Sequence, residues 1–397
     1  MPTESNLDKI SVLLVDDSPI FRKQIKAFLE TSPVIDKVVE AGNGLEALGQ
    51  VLSSPPDVVL MDLEMPYMDG LTALGHLLSH HPLPVIALSE LAEESGYRFF
   101  DALKVGAVDF MAKGALLSLP DPGESRQVLL GKILAASGMT IAPRRGFEPQ
   151  SYLHSLGKAS DVVFCEDCGH RQVLVDDLLE GGAIVCSQCD DLILFGKDER
   201  HIFNNFATVL VGDGSSFANL LDIIPNLSQK MPGSIICVID APIVSVDSFT
   251  HYLASMSPLP VQRAVDGISV AGGNCYVAAS AERICLRSSG TSLKLEQLAE
   301  LAPGIGPMDV MIASVSKVFR KKSAVVVLSA LGGDSLRGVG QLVKNGGSAV
   351  VLREASCLYA DTAQAVGSKF TLAEKTVEEI VQLVYSFHLS SKLTRMA

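Results

Sequence analysis

Asp16 and Asp17 close the apolar run Ile10 to Val15, and Asp62 closes a second run, Val58 to Met61. Carboxylates gathered at strand ends are hard oxygen donors that can share one Mg²⁺ ion, and a carboxylate so placed can accept a phosphoryl group. Ser89 ends the run Val85 to Leu88, and Lys113 follows Ala107 to Ala112, which adds a hydroxyl and a cation at two further run ends. A second set is built of sulfur. Cys165 and Cys168 form one CxxC pair, Cys186 and Cys189 another, and seventeen residues separate them. That spacing fits a tetrahedral four-cysteine Zn²⁺ site, and a closed set of four ligands implies a structural metal with no open position for catalysis.

The elements that must hold these groups read as an α/β protein. From residue 10 to about 135, apolar runs alternate with helix-like stretches such as Phe21 to Leu29 and Gly44 to Leu52, the pattern of a doubly wound parallel sheet. In such a sheet the site lies beyond the carboxyl ends of the strands. The helix-like stretch Ser125 to Ala136 ends this unit, so we divide the chain into a first α/β unit over residues 8–138 and a Pro- and Gly-containing linker over 139–160. A cysteine module follows over 161–200, with Gln172 to Val175 and Ala183 to Val185 as short strands of a zinc-ribbon-like fold. A second doubly wound α/β unit spans 205–392, with buried-strand candidates at Phe206 to Val211, Ile235 to Ile239, Ser323 to Leu328 and Ser348 to Leu352. Helices are expected at Ser216 to Ile224 and Val377 to His388.

Composition excludes several classes. A net charge of −13 disfavours nucleic acid and anionic membrane surfaces, and residues 161 to 191 hold eight Asp or Glu against Arg171 as their one fixed positive charge. No run of about twenty apolar residues is present, which argues against membrane insertion. The first residues lack the basic-then-apolar pattern of a secretion signal, so the expected compartment is the cytoplasm, where eight cysteines suggest metal rather than disulfides.

The positions Asp16, Asp17, Asp62, Ser89 and Lys113, together with the turn Met65-Pro66-Tyr67-Met68-Asp69-Gly70, resemble the site of a response-regulator receiver domain. The resemblance implies a flavodoxin-like fold in which Asp62 is the phosphoacceptor, and Asp16, Asp17, Asp62 and the carbonyl of Glu64 hold Mg²⁺. It also implies that Lys113 and Ser89 contact the phosphoryl group, that Phe110 reports the switch, and that a sensor histidine kinase of a chemotaxis-type system supplies the phosphoryl group. The family usually has proline after the lysine, where this chain has Gly114.

From about residue 206 onward the chain resembles the catalytic domain of the chemotaxis receptor-modification methylesterases. These remove methyl esters from chemoreceptor glutamates and deamidate certain glutamines with a Ser-His-Asp triad. Their nucleophile sits in a Gly-Ala-Ser-Thr-Gly-Gly turn, where this chain reads Gly212-Asp213-Gly214-Ser215-Ser216-Phe217, so the serines come one and two residues late. Their histidine sits in Gln-His-Met-Pro, where this chain reads Ile239-Asp240-Ala241-Pro242. The acid matches Asp334 in Leu331-Gly332-Gly333-Asp334. A serine hydroxyl is a weak nucleophile without a positioned base of suitable pKa, and carboxylates are usually too acidic for that task. His251 reads as a surface histidine, and His201 and His388 are remote in sequence. Two readings remain: a phosphorylation-controlled output domain that acts by binding a methyl-accepting chemoreceptor or signalling complex, and an active protein-glutamate methylesterase and glutamine deamidase with an unusual base.

Overall fold

The computed structural model describes residues 9–89, 96–117, 123–141, 162–164, 171–173, 181–187, 190, 192–196, 206–227, 231, 233–289, 292–330, 332 and 334–393. It forms two compact units, Met1–Tyr152 and Leu153–Ala397.

In the first unit β1 (Ile10–Val15), α1 (Pro19–Leu29), β2 (Ile35–Ala41), α2 (Gly44–Ser53), β3 (Val58–Asp62), α3 (Gly70–His80), β4 (Val85–Ser89), α4 (Gly96–Val105), β5 (Asp109–Ala112), α5 (Lys113–Leu117) and α6 (Gly123–Ser137) follow in order. The five strands are parallel in the order β2-β1-β3-β4-β5. Every residue of β3 and β4 is buried, which is why both read as unbroken apolar runs with no alternation. On α1 the buried Phe21, Ile25 and Leu29 recur every four residues and face the sheet. The strand order reverses between β1 and β3, so a crevice opens beyond their carboxyl ends. Three helices start with a side-chain cap at that edge. Ser18 accepts from Phe21 N–H at 3.3 Å, Asn43 from Glu46 N–H at 3.0 Å, and Asp69 from Thr72 N–H at 2.8 Å. Each cap stabilises its helix by about 1 kcal/mol and fixes where the preceding loop turns.

The second unit begins with two antiparallel hairpins, β6 (Val162–Phe164) with β7 (Arg171–Val173) and β8 (Gly181–Val185) with β9 (Leu192–Gly196). There follow β10 (Ala207–Asp213), α7 (Phe217–Ile223), β11 (Ser234–Asp240), α8 (Ile243–Met256), β12 (Val261–Arg263), β13 (Cys275–Ala279), β14 (Ile284–Ser289), β15 (Ser292–Gln297), α9 (Pro307–Phe319), β16 (Ser323–Val327), α10 (Leu336–Lys344), β17 (Ser348–Leu352), α11 (Asp361–Phe370), β18 (Ala373–Lys375) and α12 (Val377–Leu393). Seven of these strands make a parallel sheet in the order β12-β13-β11-β10-β16-β17-β18, and β14 pairs antiparallel with β15. Here the order reverses between β10 and β16, which puts a second crevice beside Ser215. No helix among the described residues is long and apolar enough to cross a membrane.

The α/β fold class is as expected, and the differences are local. The helix expected over Ser216 to Ile224 is Phe217–Ile223, preceded by a 3-10 turn at Gly214–Ser216 in which the Asp213 side chain accepts from Ser215 N–H. The last helix runs on to Leu393. Most of the linker, residues 142–160, lies outside the described residues.

Ser335 leads into α10 with φ +101°, and its buried hydroxyl has no hydrogen-bond partner among the described residues. Left-handed backbone at a non-glycine residue and an unpaired buried hydroxyl each cost about 1–3 kcal/mol. Replacing Ser335 by glycine is expected to raise the unfolding midpoint of the second unit by a few degrees in calorimetry, since glycine's own entropy cost of about 1 kcal/mol is the smaller effect. An unchanged or lower midpoint would show that the turn is relaxed.

Candidate functional site

Asp16, at the end of β1, is fully buried, Asp62, at the end of β3, is 2% exposed, and Asp17 is exposed to solvent. Their carboxylate oxygens lie within 4.8 Å of one another. Lys113 Nζ stands 2.8 Å from Asp16 Oδ2 and 2.8 Å from Asp62 Oδ2, and 5.2 Å from the centroid of the Phe21 ring. Asp62 Oδ1 also accepts from Glu64 N–H at 3.2 Å. Burial pushes the Asp62 carboxyl up to about 6, with Asp16 adding to the push and Lys113 and the Glu64 N–H opposing it. Burial alone works against the Lys113 ammonium, but the two carboxylates outweigh it and hold its pKa above the ordinary value. Three carboxylates and one ammonium leave uncompensated negative charge among oxygen donors, a donor set that fits a hard divalent cation such as Mg²⁺.

Ser89 ends β4 fully buried. Phe110, on β5, is half-buried and packs against Phe99 at 4.6 Å and Phe100 at 6.1 Å between ring centroids. Glu64 is exposed, and its carboxylate lies 3.7 Å from Arg98. A Cβ at Gly70 would fall 2.0 Å from the Asp62 carbonyl oxygen, so glycine is what lets α3 start against the end of β3. Gly114 lies in α5 with open space around its Cα.

In the second unit Asp213 and Asp240 are register partners at the carboxyl ends of β10 and β11. Ser215 Oγ is 2.5 Å from Asp213 Oδ1 and 2.6 Å from Ser329 Oγ. Ser329 Oγ in turn accepts from Tyr359 N–H at 2.9 Å. A carboxylate only accepts, so Ser215 donates to Asp213 and accepts from Ser329, whose hydroxyl also lies 3.3 Å from the Tyr359 carbonyl as a second acceptor. Asp240 Oδ1 accepts from the Ser280 hydroxyl. Asp334 caps α9 instead: its carboxylate accepts from Met308 N–H at 3.0 Å and Asp309 N–H at 3.1 Å. A Cβ at Gly306 would meet that carboxyl at 2.0 Å, so the loop before α9 needs glycine to come so close. Burial raises the Asp334 pKa despite those two N–H groups.

The expected nucleophile, base and acid positions therefore lead to separate partners, and no hydrogen bond joins Ser215, Asp240 and Asp334 to one another. His251 is exposed on α8, while His201 and the side chain of His388 lie outside the described residues. Of the four turn cysteines, Cys186 is described and buried, and Cys165, Cys168 and Cys189 lie outside the described residues.

The family model of the response regulator receiver domain matches residues 12–117, and that of the CheB methylesterase matches residues 214–384. The chain joins a receiver domain to a CheB methylesterase domain. It is 28% identical over 359 residues to protein-glutamate methylesterase/protein-glutamine glutaminase 1 of Oleidesulfovibrio alaskensis, covering 90% of this chain and 93% of that one. It is 27% identical over 379 residues to the protein-glutamate methylesterase/protein-glutamine glutaminase of Halalkalibacterium halodurans, with 94% and 95% covered. Among solved structures, the response regulator domain of Thermotoga maritima CheB aligns at 37% identity over 33% of this chain and 98% of that chain, with a TM-score of 0.31.

Within the receiver domain the sequence placed every charged member of the cluster and missed Phe21, whose position on the inner face of α1 carries no local chemical signal. Within the methylesterase domain it missed Asp213, Ser280, Ser329 and Tyr359. Asp213 was open to detection, because an acid two residues before a serine at a strand end is within reach of its hydroxyl. Ser329 meets Ser215, and Tyr359 meets Ser329, only through the fold.

The receiver site has a pH signature. The folded-state pKa of Asp62 is raised from 3.8 to about 6, so its ionisation costs stability as pH rises through that window, and above it the apoprotein carries the full penalty. Asp62→Asn should therefore stabilise the metal-free protein at about pH 8 by roughly 1–3 kcal/mol. Added Mg²⁺ should raise the midpoint of the native protein there, with the rise fading as pH falls through about 6. A Mg²⁺ response that is flat across this range, measured by calorimetry, would contradict the assignment.

For Asp334, truncation to alanine should cost about 1–2 kcal/mol by uncapping α9. That cost should add to the cost of Ser215→Ala in the double variant within about 0.5 kcal/mol, as for sites that share no partner. Strong non-additivity in denaturant unfolding would place the two side chains in one network.

Proposed function

We propose that this chain is a phosphorylation-controlled response regulator of a chemotaxis-type system whose methylesterase domain acts by binding rather than by ester hydrolysis. A sensor histidine kinase supplies the phosphoryl group, which Asp62 accepts. Asp16, Asp17, Asp62 and the Glu64 carbonyl would hold Mg²⁺, which when bound neutralises charge on the phosphoryl oxygens. Lys113, already fixed between two carboxylates, is positioned to pair with the phosphoryl group once Asp62 is esterified. Ser89 supplies a hydroxyl from the end of the neighbouring strand, and Phe110 carries the change toward α4 through its ring contacts with Phe99 and Phe100.

The observation that carries the binding reading is the hydrogen bond from Ser215 to Asp213. A triad needs a base that takes the serine proton in the transition state and returns it to the leaving group. Asp213 accepts that hydrogen bond as a carboxylate, and the position matched to the family's histidine holds Asp240, itself bonded to Ser280. Loss of a triad member leaves the residual rate due to binding and the oxyanion site alone. The partner bound is a methyl-accepting chemoreceptor or the signalling complex around it.

A second reading, an active esterase and deamidase, is favoured by the relatives named protein-glutamate methylesterase/protein-glutamine glutaminase. Methanol release from methylated chemoreceptor cytoplasmic domains separates the two. The binding reading predicts no release above background with acetyl phosphate and Mg²⁺ present, while the receptor domain still co-sediments with the protein. Phosphorylation-dependent release that disappears in Ser215→Ala would establish the hydrolase.

A further inference from the structure

The β14–β15 hairpin, α9 and α10 enclose a groove of about 580 Å³ in the second unit. It shares no lining residue with the hydrogen-bonded set of Asp213, Ser215 and Ser329. Helix α9 is apolar on more than the face its core needs. Met308, Met311, Ile312 and Val315 are buried, and a second stripe at i, i+3 and i+8, Val310, Ala313 and Val318, is partly exposed and lines the groove. Leu298 and Ile305 supply apolar surface from the connection that leads into α9, and Ile305 is 37% exposed.

The walls are fixed. Ser314 Oγ on α9 accepts from Leu286 N–H of β14 at 2.9 Å, and Asp309 Oδ1 accepts from Gly338 N–H of α10 at 2.6 Å. A Cβ at Gly338 would meet the Asp309 Cα at 2.8 Å, so glycine is what lets α10 close on α9. A preformed groove loses little entropy when it is filled.

Its charge is opposite to that of the chain. Residues 310–344 hold six Lys or Arg against Asp334 as their one acid, in a chain of net charge −13. Lys317 and Arg337 stand exposed at the groove, and neither has an ion pair or a side-chain hydrogen bond among the described residues. Arg287 also lines it, paired across the hairpin with Glu296 at 3.1 Å. Arg320, Lys321 and Lys322 follow α9, and Lys344 ends α10; these too have no ion pair among the described residues, and they extend the positive field.

We propose that this groove docks an acidic amphipathic helix of a partner protein. The partner's apolar side chains fill the space over Val310, Ala313 and Val318, and its carboxylates meet Lys317 and Arg337. Val310 to Val318 covers about 12 Å of helix axis, enough for about two turns of the incoming helix. Nucleic acid fits less well: no aromatic side chain lines the groove to stack on a base, and the net charge of the chain repels a phosphate backbone.

The probe is a fluorescein-labelled synthetic helical peptide of Glu, Leu and Ala with its leucines on one face, titrated with the full chain and followed by anisotropy. It should bind, and raising salt should weaken it. A scrambled peptide of the same composition, and one with Lys in place of Glu, should each bind at least about fivefold more weakly, comparisons that need no variant of the protein. Lys317→Glu/Arg337→Glu should weaken the acidic peptide about tenfold or more, while the charge-matched Lys9→Glu/Lys23→Glu in the first unit leaves it unchanged. Calorimetry confirms that both variants keep the native unfolding midpoint. Absence of binding, equal binding of the three peptides, equal loss in the two double variants, or a single-stranded oligonucleotide binding as tightly as the acidic peptide would overturn the proposal.

Discussion

A parallel sheet delivers the side chains at its strand ends to one edge and strips them of water there, so the charge gathered at that edge must be balanced locally. The receiver domain balances it incompletely. Asp16 and Asp62 are buried beside each other and share one ammonium, Lys113. Truncating Lys113 would leave two buried carboxylates facing each other, a change that ordinarily costs several kcal/mol. The elements around the site keep this balance in place: Ser18 and Asp69 cap α1 and α3, Gly70 admits α3 against the Asp62 backbone, and Phe21 covers the lysine. What remains is an excess of negative charge among oxygen donors, a balance that suits the site to a divalent cation.

The methylesterase domain has the same topology at its edge and a different chemical balance. Among the described residues, the donors to its strand-end carboxylates are neutral: the Ser215 hydroxyl and N–H to Asp213, the Ser280 hydroxyl to Asp240, and two helix N–H groups to Asp334. Neutral donors stabilise a carboxylate without creating a basic group of suitable strength. A row of hydroxyls ending on an acid is thus well suited to shape and rigidity, since each hydroxyl donates once and accepts once, and poorly suited to taking a proton at neutral pH. The Asp334 cap also ties the β16–α10 turn to the start of α9, so the family's acid position contributes to how two helices pack.

The sequence was most legible where one physical requirement acted alone. Strands buried on both faces must be apolar throughout, and the runs ending at Val15 and Leu352 were read to the residue. The β13 run Cys275-Tyr276-Val277-Ala278-Ala279 went unread because small residues weaken the apolar signal even though all five are buried. The antiparallel β14–β15 hairpin and helices α9 to α11 also went unread, since each shares its apolar content with a polar face or a glycine-rich turn. In the receiver site, residue type and strand-end position coincide, and the sequence reading placed Asp16, Asp17, Asp62 and Lys113, which the fold brings together. In the methylesterase domain, Ser329 reaches Ser215 from more than a hundred residues away and is itself held by Tyr359, a juxtaposition that no local pattern encodes.

The reading proposed for the second domain is that Ser215 lacks a working base. Covalent labelling tests it most directly: the protein is exposed to a fluorophosphonate, with and without acetyl phosphate and Mg²⁺, and peptide mass mapping reads the occupancy of Ser215. The account predicts no adduct at Ser215 in either state, because its hydroxyl proton is held by Asp213. An adduct at Ser215 that rises when Asp62 is phosphorylated would show an activated nucleophile and contradict the account.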